Sequence, residues 1–476
     1  MAKKFFIVSL FVISATAWGA DKMVVGYYPS WMSGTFPHTV IPWQYLTHIA
    51  HAFIGPQADG QLDVPSGFLY PQLVTAAHAN GVKVVVSVGG WNTTYDDNFT
   101  ALAADSNARR AFADNVKQFC VVNGYDGADI DWEYPGSPTD RANHALMIHA
   151  LRQAFDSVVP RLTLSMAGPA TNWSGQWFDF EATRNDFDWI GIMTYDFYGN
   201  WSAVAGPNAP LYGSTPPNDQ GWADFSLSYY RNTRGVAVGK LLIGVPFYGW
   251  TFNAAAMYGT STGNPKAIQE QYAVIAPRLA QGWMRTWDAA GQVPYMQDAA
   301  HTKVTSYDDS ESVALKAEFA QAKETAGVII WALGEDLING RPVLLEAVGK
   351  ALRPVTGIAE EPAAPLRFAL DQNYPNPFNP TTRIRYTVGR VVVPSGALLS
   401  GVEGPASSKV SLILYDLLGR EVAVLVNERK PAGSYEISFD ANGLASGVYI
   451  YRLTARPTDG GQAGAFTQSR TMVLVK

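Results

Sequence analysis

The sequence predicts an α/β chain: a TIM (β/α)8 barrel carrying one insertion, followed by a smaller all-β domain. Two observations predict the barrel. Eight apolar, strand-like runs recur between Val24 and Leu333, most of them separated by helical patterns, as a barrel of parallel strands requires. Runs such as Lys83-Val-Val-Val-Ser87 are almost continuously apolar, which fits strands covered on both faces. The third observation concerns the tail, where short strand candidates are punctuated by glycine, the pattern of an immunoglobulin-like sandwich. A chain of 476 residues suits two or three such units, and 47% apolar content is ample for a large core.

Taken in order, the chain opens on an export signal, assigned to residues 1–20. Lys3 and Lys4 precede an apolar run, and Ala15-Thr-Ala17 or Ala17-Trp-Gly19 offers a small-x-small cleavage site. That run is too short to span a membrane, and no later segment is long enough. The barrel is assigned to residues 21–353. Its strand runs are 24–31, 48–54, 82–91, 127–135, 162–169, 189–198, 241–250 and 328–333. Helical patterns lie at 68–79 and 140–157, and another at 107–123 places Ala111, Phe112, Val116 and Phe119 on one face. Cys120 lies in that last helix as a buried structural thiol. As the single cysteine, it excludes an intrachain disulfide and a cysteine metal cluster. A long insert, 251–304, separates the last two strand runs. Residues 354–365 are rich in Pro, Ala, Gly and Glu without apolar periodicity and read as a linker. Residues 366–476 form the sandwich, with strand candidates at 411–415, 421–426, 434–439 and 448–453. A net charge of −6 with no basic run excludes an ordinary nucleic-acid binder.

The chemistry concentrates in Asp126-Gly-Ala-Asp129-Ile-Asp131-Trp-Glu133-Tyr-Pro135. On a strand, period two puts Asp129, Asp131 and Glu133 on one face. Apolar Ala128, Ile130 and Trp132 between them argue against a solvated acidic loop. Three buried carboxylates cannot all stay ionised cheaply, so at least one should hold a proton near neutral pH. That is what a general acid for glycoside cleavage requires. Asp126 is out of phase and reads as structural. Barrel chemistry sits at the C-terminal strand ends, and Ser87-Val-Gly-Gly90-Trp91, Met193-Thr-Tyr195-Asp196-Phe-Tyr198, Phe247-Tyr248-Gly249 and Trp331 all fall there. Singly each reads as a turn or core; together they point to one cleft. His48 and His51 lack a carboxylate that would complete a metal set and read as structural. Retaining glycosidases need carboxyls about 5–5.5 Å apart and inverting ones about 6.5–9.5 Å. Alternate residues of one strand lie about 6.6 Å apart along it, which does not decide. Direction does: Asp131 approaches from the same side as Glu133, so something else must attack the opposite face of the sugar.

The acidic run resembles the D-x-x-D-x-D-x-E signature of the family 18 glycoside hydrolases, the chitinases and their relatives, with every acidic position filled. Ser87-x-Gly89-Gly90 resembles the family's second signature, and the resemblance spans about residues 23–353. It implies a chitinase that hydrolyses β-1,4 bonds between N-acetylglucosamine units, the substrate's own 2-acetamido oxygen attacking C1. Glu133 is then the acid/base. Asp131 orients the acetamido N–H and shares a proton or hydrogen bond with Asp129. Tyr195 holds the acetamido oxygen, and Asp196 contacts the same subsite. Trp331 resembles the floor under the sugar, and Tyr27, Phe53, Gly90, Trp91, Met193 and Tyr248 match positions lining that subsite or its neighbours. The insert resembles the small α+β subdomain that walls the cleft in chitobiose-releasing members. One departure stands out: relatives often have Arg where this chain has Trp250. No metal or other cofactor is implied, and the enzyme is expected to act as a monomer on chitin or chitooligosaccharides.

Three alternatives are an endo-β-N-acetylglucosaminidase acting on N-glycans, a non-hydrolytic chitin-binding lectin, and an adhesion protein with a decorative barrel. Intact Glu133 stands against the lectin; Trp132, the insert and the aromatic cleft favour chitin over N-glycans. In the tail, Asn373-Tyr-Pro-Asn-Pro-Phe-Asn-Pro-Thr-Thr382, Tyr415-Asp-Leu-Leu-Gly-Arg420 and Gly447-Val-Tyr-Ile-Tyr-Arg-Leu453 resemble the C-terminal sorting domain of the type IX secretion system. That implies a secreted or cell-surface protein, the secretion machinery as partner, and a tail removed after export. Residues 389–408 look like an insertion in that domain.

Overall fold

A computed structural model describes residues 22–213, 221–353, 368–388, 407–431, 433–457 and 466–475. The export signal, the linker and nearly all of the 389–408 segment lie outside the described residues. The chain divides into two compact units, residues 1–355 and 356–476.

In the first unit eight strands close a ring: β1 (Met23–Pro29), β2 (His48–Pro56), β3 (Lys83–Gly89), β4 (Gly127–Asp131), β5 (Thr163–Gly168), β6 (Trp189–Ile192), β7 (Leu241–Pro246) and β8 (Gly327–Trp331). Each is parallel to its neighbours, and β1 pairs with both β2 and β8. The apolar runs look continuous because their two faces feed two different cores. Val24, Ile49, Val84, Val86, Ala128 and Ile130 pack outward on the helices. Val25, Ala50, Val85, Trp189, Leu242 and Ile329 pack inside the barrel. Asp129, Ser87 and Ser165 are fully buried polar exceptions, in line with one another across β3, β4 and β5.

Several strands end before the sequence suggests: β7 stops at Pro246, because Tyr248–Phe252 pairs in a second sheet. β4 stops at Asp131 and β6 at Ile192, so Glu133, Tyr195 and Asp196 stand on the loops just beyond. The cause at β4 is visible: Gly90 N–H still bonds Asp131 O at 2.8 Å, but the next inward residue, Glu133, donates its N–H to the Asp96 side chain. The ladder cannot continue past that point.

Outlying residues have plain structural roles. Asp126 Oδ2 accepts from Val84 N and His78 Nε2 at the foot of β4. His51 Nδ1 meets the Tyr125 hydroxyl at 2.8 Å and its ring stacks on Phe68; burial holds it neutral, with its pKa lowered to about 3. Cys120 is buried and donates to Gly127 O.

Between β7 and β8 the chain builds a five-stranded antiparallel sheet. Its order is Ala267–Gln271, Tyr248–Phe252, Val304–Ser306, Val293–Gln297 and Met284–Asp288, with a short helix Tyr272–Ile275. Only Phe247 separates it from β7. Past its last strand lies a fully buried ion pair, Asp308 with Lys316 of helix Ser310–Ala322. Lys316→Met is expected to strand the Asp308 charge and destabilise this unit by about 3–5 kcal/mol. The midpoint of denaturant unfolding followed by tryptophan fluorescence checks this, since no tryptophan lies beyond Trp331. An unchanged midpoint would contradict it.

The second unit is a two-sheet sandwich. One sheet holds Ala369–Leu370, Thr381–Val388 and Gly433–Asp440; the other holds Glu421–Pro431, Ser407–Tyr415, Gly447–Pro457 and Phe466–Leu474. All strand pairings within them are antiparallel, and one core of Ile384, Tyr386, Leu412, Leu414, Tyr451, Leu453 and Leu474 lies between the sheets.

Candidate active site

The site is built at the C-terminal ends of the barrel strands. Asp129 lies deepest. Its Oδ2 accepts hydroxyl hydrogen bonds from Tyr27 at 2.8 Å and Ser87 at 3.0 Å, and its Oδ1 accepts from Ser165 at 2.8 Å. Burial raises its pKa, and those three donors oppose the rise. Three hydroxyls thus fix Asp129 in place, and its charge acts on Asp131 one pleat further along β4.

Asp131, one pleat further, is buried with Oδ1 lacking any partner. Burial first, then the charges of Glu133, Asp129 and Asp96, push its pKa well above the ordinary carboxylate value. The result is a buried acid with an acceptor left open. Glu133 is half-buried above it, and its pKa is raised to about 7. Burial is the main cause, the Tyr134 hydroxyl bonding to it opposes, and the charges of Asp196 and Asp96 add to the rise. A carboxyl that keeps its proton near neutral pH can donate it to a leaving oxygen.

The opposite wall comes from β6 and the inserted sheet. Asp196 takes the left-handed backbone region at φ +57°, a conformation asparagine and aspartate tolerate better than most residues. Asn208, fully buried, holds it there: its Oδ1 accepts Asp196 N–H at 3.0 Å, and its own N–H reaches Ser306 in the inserted sheet. Asp196 Oδ1 accepts the Trp250 indole N–H at 2.8 Å, and the Tyr248 hydroxyl also bonds its carboxylate. Trp250 therefore supplies a neutral donor to Asp196. Tyr195 sits between the acids and Tyr248, its ring tilted 75° to the Tyr248 ring at 5.9 Å. Its hydroxyl is kept protonated by burial and by the charges of Asp131, Glu133 and Asp196.

The floor is aromatic. Trp331 stacks with Phe53 at 5.5 Å and meets Tyr27 at 5.6 Å, with Met193 in the same cluster. Two glycines let the chain pass close to the acids. A Cβ on Gly89 would lie 2.0 Å from Asp131 O, and one on Gly90 would lie 2.8 Å from the Phe53 ring; both have positive φ. Trp91 is 79% exposed at the rim, its ring edge-on to Tyr134, and the Trp173 ring also meets Tyr134. The residues expected from sequence thus converge on one cleft. Four neighbours were not singled out for these contacts: Tyr134, Asp96, Asn208 and Trp250. Tyr134 adjoins Glu133 in sequence and could have been found. Asp96 and Asn208 carry no local signal, because their partners are distant in sequence. Among the described residues no group of three or more His, Cys, Asp or Glu is arranged to hold a metal ion.

Comparison with known proteins adds to this geometry. The model for glycosyl hydrolases family 18 matches residues 23–336, and that for the secretion system C-terminal sorting domain matches residues 372–459. A probable endochitinase of Caenorhabditis elegans is 35% identical over 54% of this chain and 44% of its own length; the match spans less than half of that relative. Probable chitinase 2 of Drosophila melanogaster is 30% identical over 75% of this chain and 79% of its own length. Among solved structures, the Ostrinia furnacalis Group IV chitinase in complex with allosamidin is similar at a TM-score of 0.63. It is 28% identical, over 70% of this chain and 99% of that one.

Proposed function

From a chain that belongs to glycosyl hydrolase family 18, we propose a chitinase that cleaves β-1,4 bonds between N-acetylglucosamine units with retention of configuration. The observation that carries the reading is the stacked trio of acids: Asp129 bonded by three hydroxyls, Asp131 with an open acceptor, and Glu133 with its pKa raised to about 7.

The sugar at the cleaved bond rests on Trp331, Phe53 and Tyr27. Asp131 Oδ1 accepts the N–H of its acetamido group, and the Tyr195 hydroxyl donates to the acetamido oxygen. Held so, that oxygen attacks C1 as Glu133 passes its proton to the departing glycosidic oxygen, leaving an oxazolinium ion and a Glu133 carboxylate. Asp131 lies beside the cationic ring, its Oδ1 still accepting the acetamido N–H. Glu133 then takes a proton from water, the water oxygen bonds C1, and the C1–acetamido bond breaks. Two displacements at C1 restore the β configuration, by the substrate-assisted exception to the two-carboxylate scheme. Asp196, fixed by Trp250 and Asn208, borders the same subsite.

The secretion sorting domain directs the protein to the cell surface or the exterior, through the secretion machinery as partner, and plays no part in hydrolysis. The test is turnover of a defined soluble chitooligosaccharide by the full chain and by a chain truncated after Val355. Both should release product with kcat within about twofold, since each unit carries its own core. Binding without turnover by the full chain would replace the enzyme with a lectin. A large loss on truncation would mean the tail shapes the site.

A further inference from the structure

Asp96 lies 37 residues from Glu133 in sequence, yet its Oδ1 accepts the Glu133 backbone N–H at 3.2 Å. It projects from the first turn of helix Thr93–Ala104, just past β3. That helix is already capped, its N-terminal N–H groups on Thr94 and Tyr95 bonding the Asn92 side chain. The Asp96 carboxylate is therefore spare for another task. Because β4 has ended two residues earlier, this side chain replaces the strand partner that Glu133 has lost. Asp96 is half-buried, and its charge acts on both Asp131 and Glu133.

We propose that Asp96 is a positioning residue for the glycosidic reaction: its carboxyl fixes the backbone that carries Glu133 and adds a further negative charge beside the acids. This rests on Glu133 being the proton donor. The groups facing Glu133 are Asp131 on β4, Asp96 beyond β3, Asp196 and Tyr195 beyond β6, and the adjoining Tyr134. Those acting on Asp96 itself are burial, which raises its pKa to about 6, the opposing Glu133 N–H, and neighbouring Asp97, which adds to the rise. The sign follows from like-charge repulsion. Ionised Asp96 disfavours ionised Glu133, so Glu133 holds its proton to higher pH, and the alkaline limb of the rate profile lies further out than it would without Asp96.

Two variants of the full chain separate charge from position. Asp96→Asn keeps an oxygen that can accept the Glu133 N–H and removes the charge; Asp96→Ala removes both. The Asn variant should move the alkaline limb of kcat to lower pH by about half a unit or more. The Ala variant should show the same move plus a fall in kcat of roughly tenfold across the profile with little change in KM, a loss that Asn largely rescues. A 13C NMR titration of the Glu133 carboxyl, assigned against Glu133→Gln, should give the same displacement without any substrate. The proposal is overturned if the titration and limb of the Asn variant superimpose on those of the wild type, or if the Ala variant keeps wild-type kcat. Failure of the chitinase reading looks different: the wild-type chain itself would not turn over, while the titration would still report Asp96.

Discussion

Replacing Glu133 by glutamine is expected to lower kcat on chitooligosaccharides at least about a hundredfold while the fold and substrate binding persist. Glutamine has nearly the same shape and can occupy the space over Asp131, but it has no proton to give. The raised pKa fixes the shape of the wild-type profile. A general acid works only while protonated, so kcat should decline as pH rises through the region near 7 set by Glu133. In the variant that decline should vanish along with the rate. The leaving group supplies a second check. An aryl glycoside whose phenolate departs without a proton should lose less than a sugar leaving group does, because the acid contributes less to its transition state. Near-normal turnover by Glu133→Gln would remove the assignment.

A second large effect concerns the substrate. If the acetamido oxygen is the nucleophile, fully deacetylated chitosan and cellulose should not turn over, although both present a β-1,4 bond to the same cleft. Asp196, just beyond β6, is the nearest competing carboxylate, and its Oδ1 already accepts the Trp250 indole N–H. A thiazoline analogue of the oxazolinium ion should inhibit competitively and bind more tightly than substrate. NMR of the first product should show the β anomer. A covalent sugar ester on Asp196, or α product at early times, would overturn the mechanism.

Much of this was legible in the sequence, for identifiable reasons. The barrel was legible because each strand must be apolar on both faces. The acids were legible because Asp129 and Asp131 obey the period of two that a strand imposes, and the same phase carries on to Glu133 after the strand has ended. What the sequence hid was the end itself. Beyond Asp131 the Glu133 N–H turns to a side chain from helix Thr93–Ala104, and nothing local to Trp132 or Glu133 announces it. The same holds for Asn208, whose importance comes from joining the Asp196 backbone to Ser306. In the second unit, Thr381–Val388 alternates inward Thr382, Ile384, Tyr386 and Val388 with exposed or half-buried neighbours. That pattern is present in the sequence, but its first residues, Thr381 and Thr382, also close the sorting motif. Trp250 stands out in the sequence as a departure, yet its hydrogen bond to Asp196 depends on the sheet that carries it.

That sheet limits how such enzymes can be recombined. Strand Tyr248–Phe252 belongs to the insert by its pairing, yet Tyr248 and Trp250 are the donors to Asp196, which belongs to the barrel. A chimera whose crossover falls at Phe247 would inherit the donor side chains of one parent and the acid of the other. It would leave Asp196 facing whatever residue the incoming parent keeps in place of the indole. A crossover after Phe252 keeps the acid and its donors together, and the remaining strands of the wall can then be exchanged as a cassette.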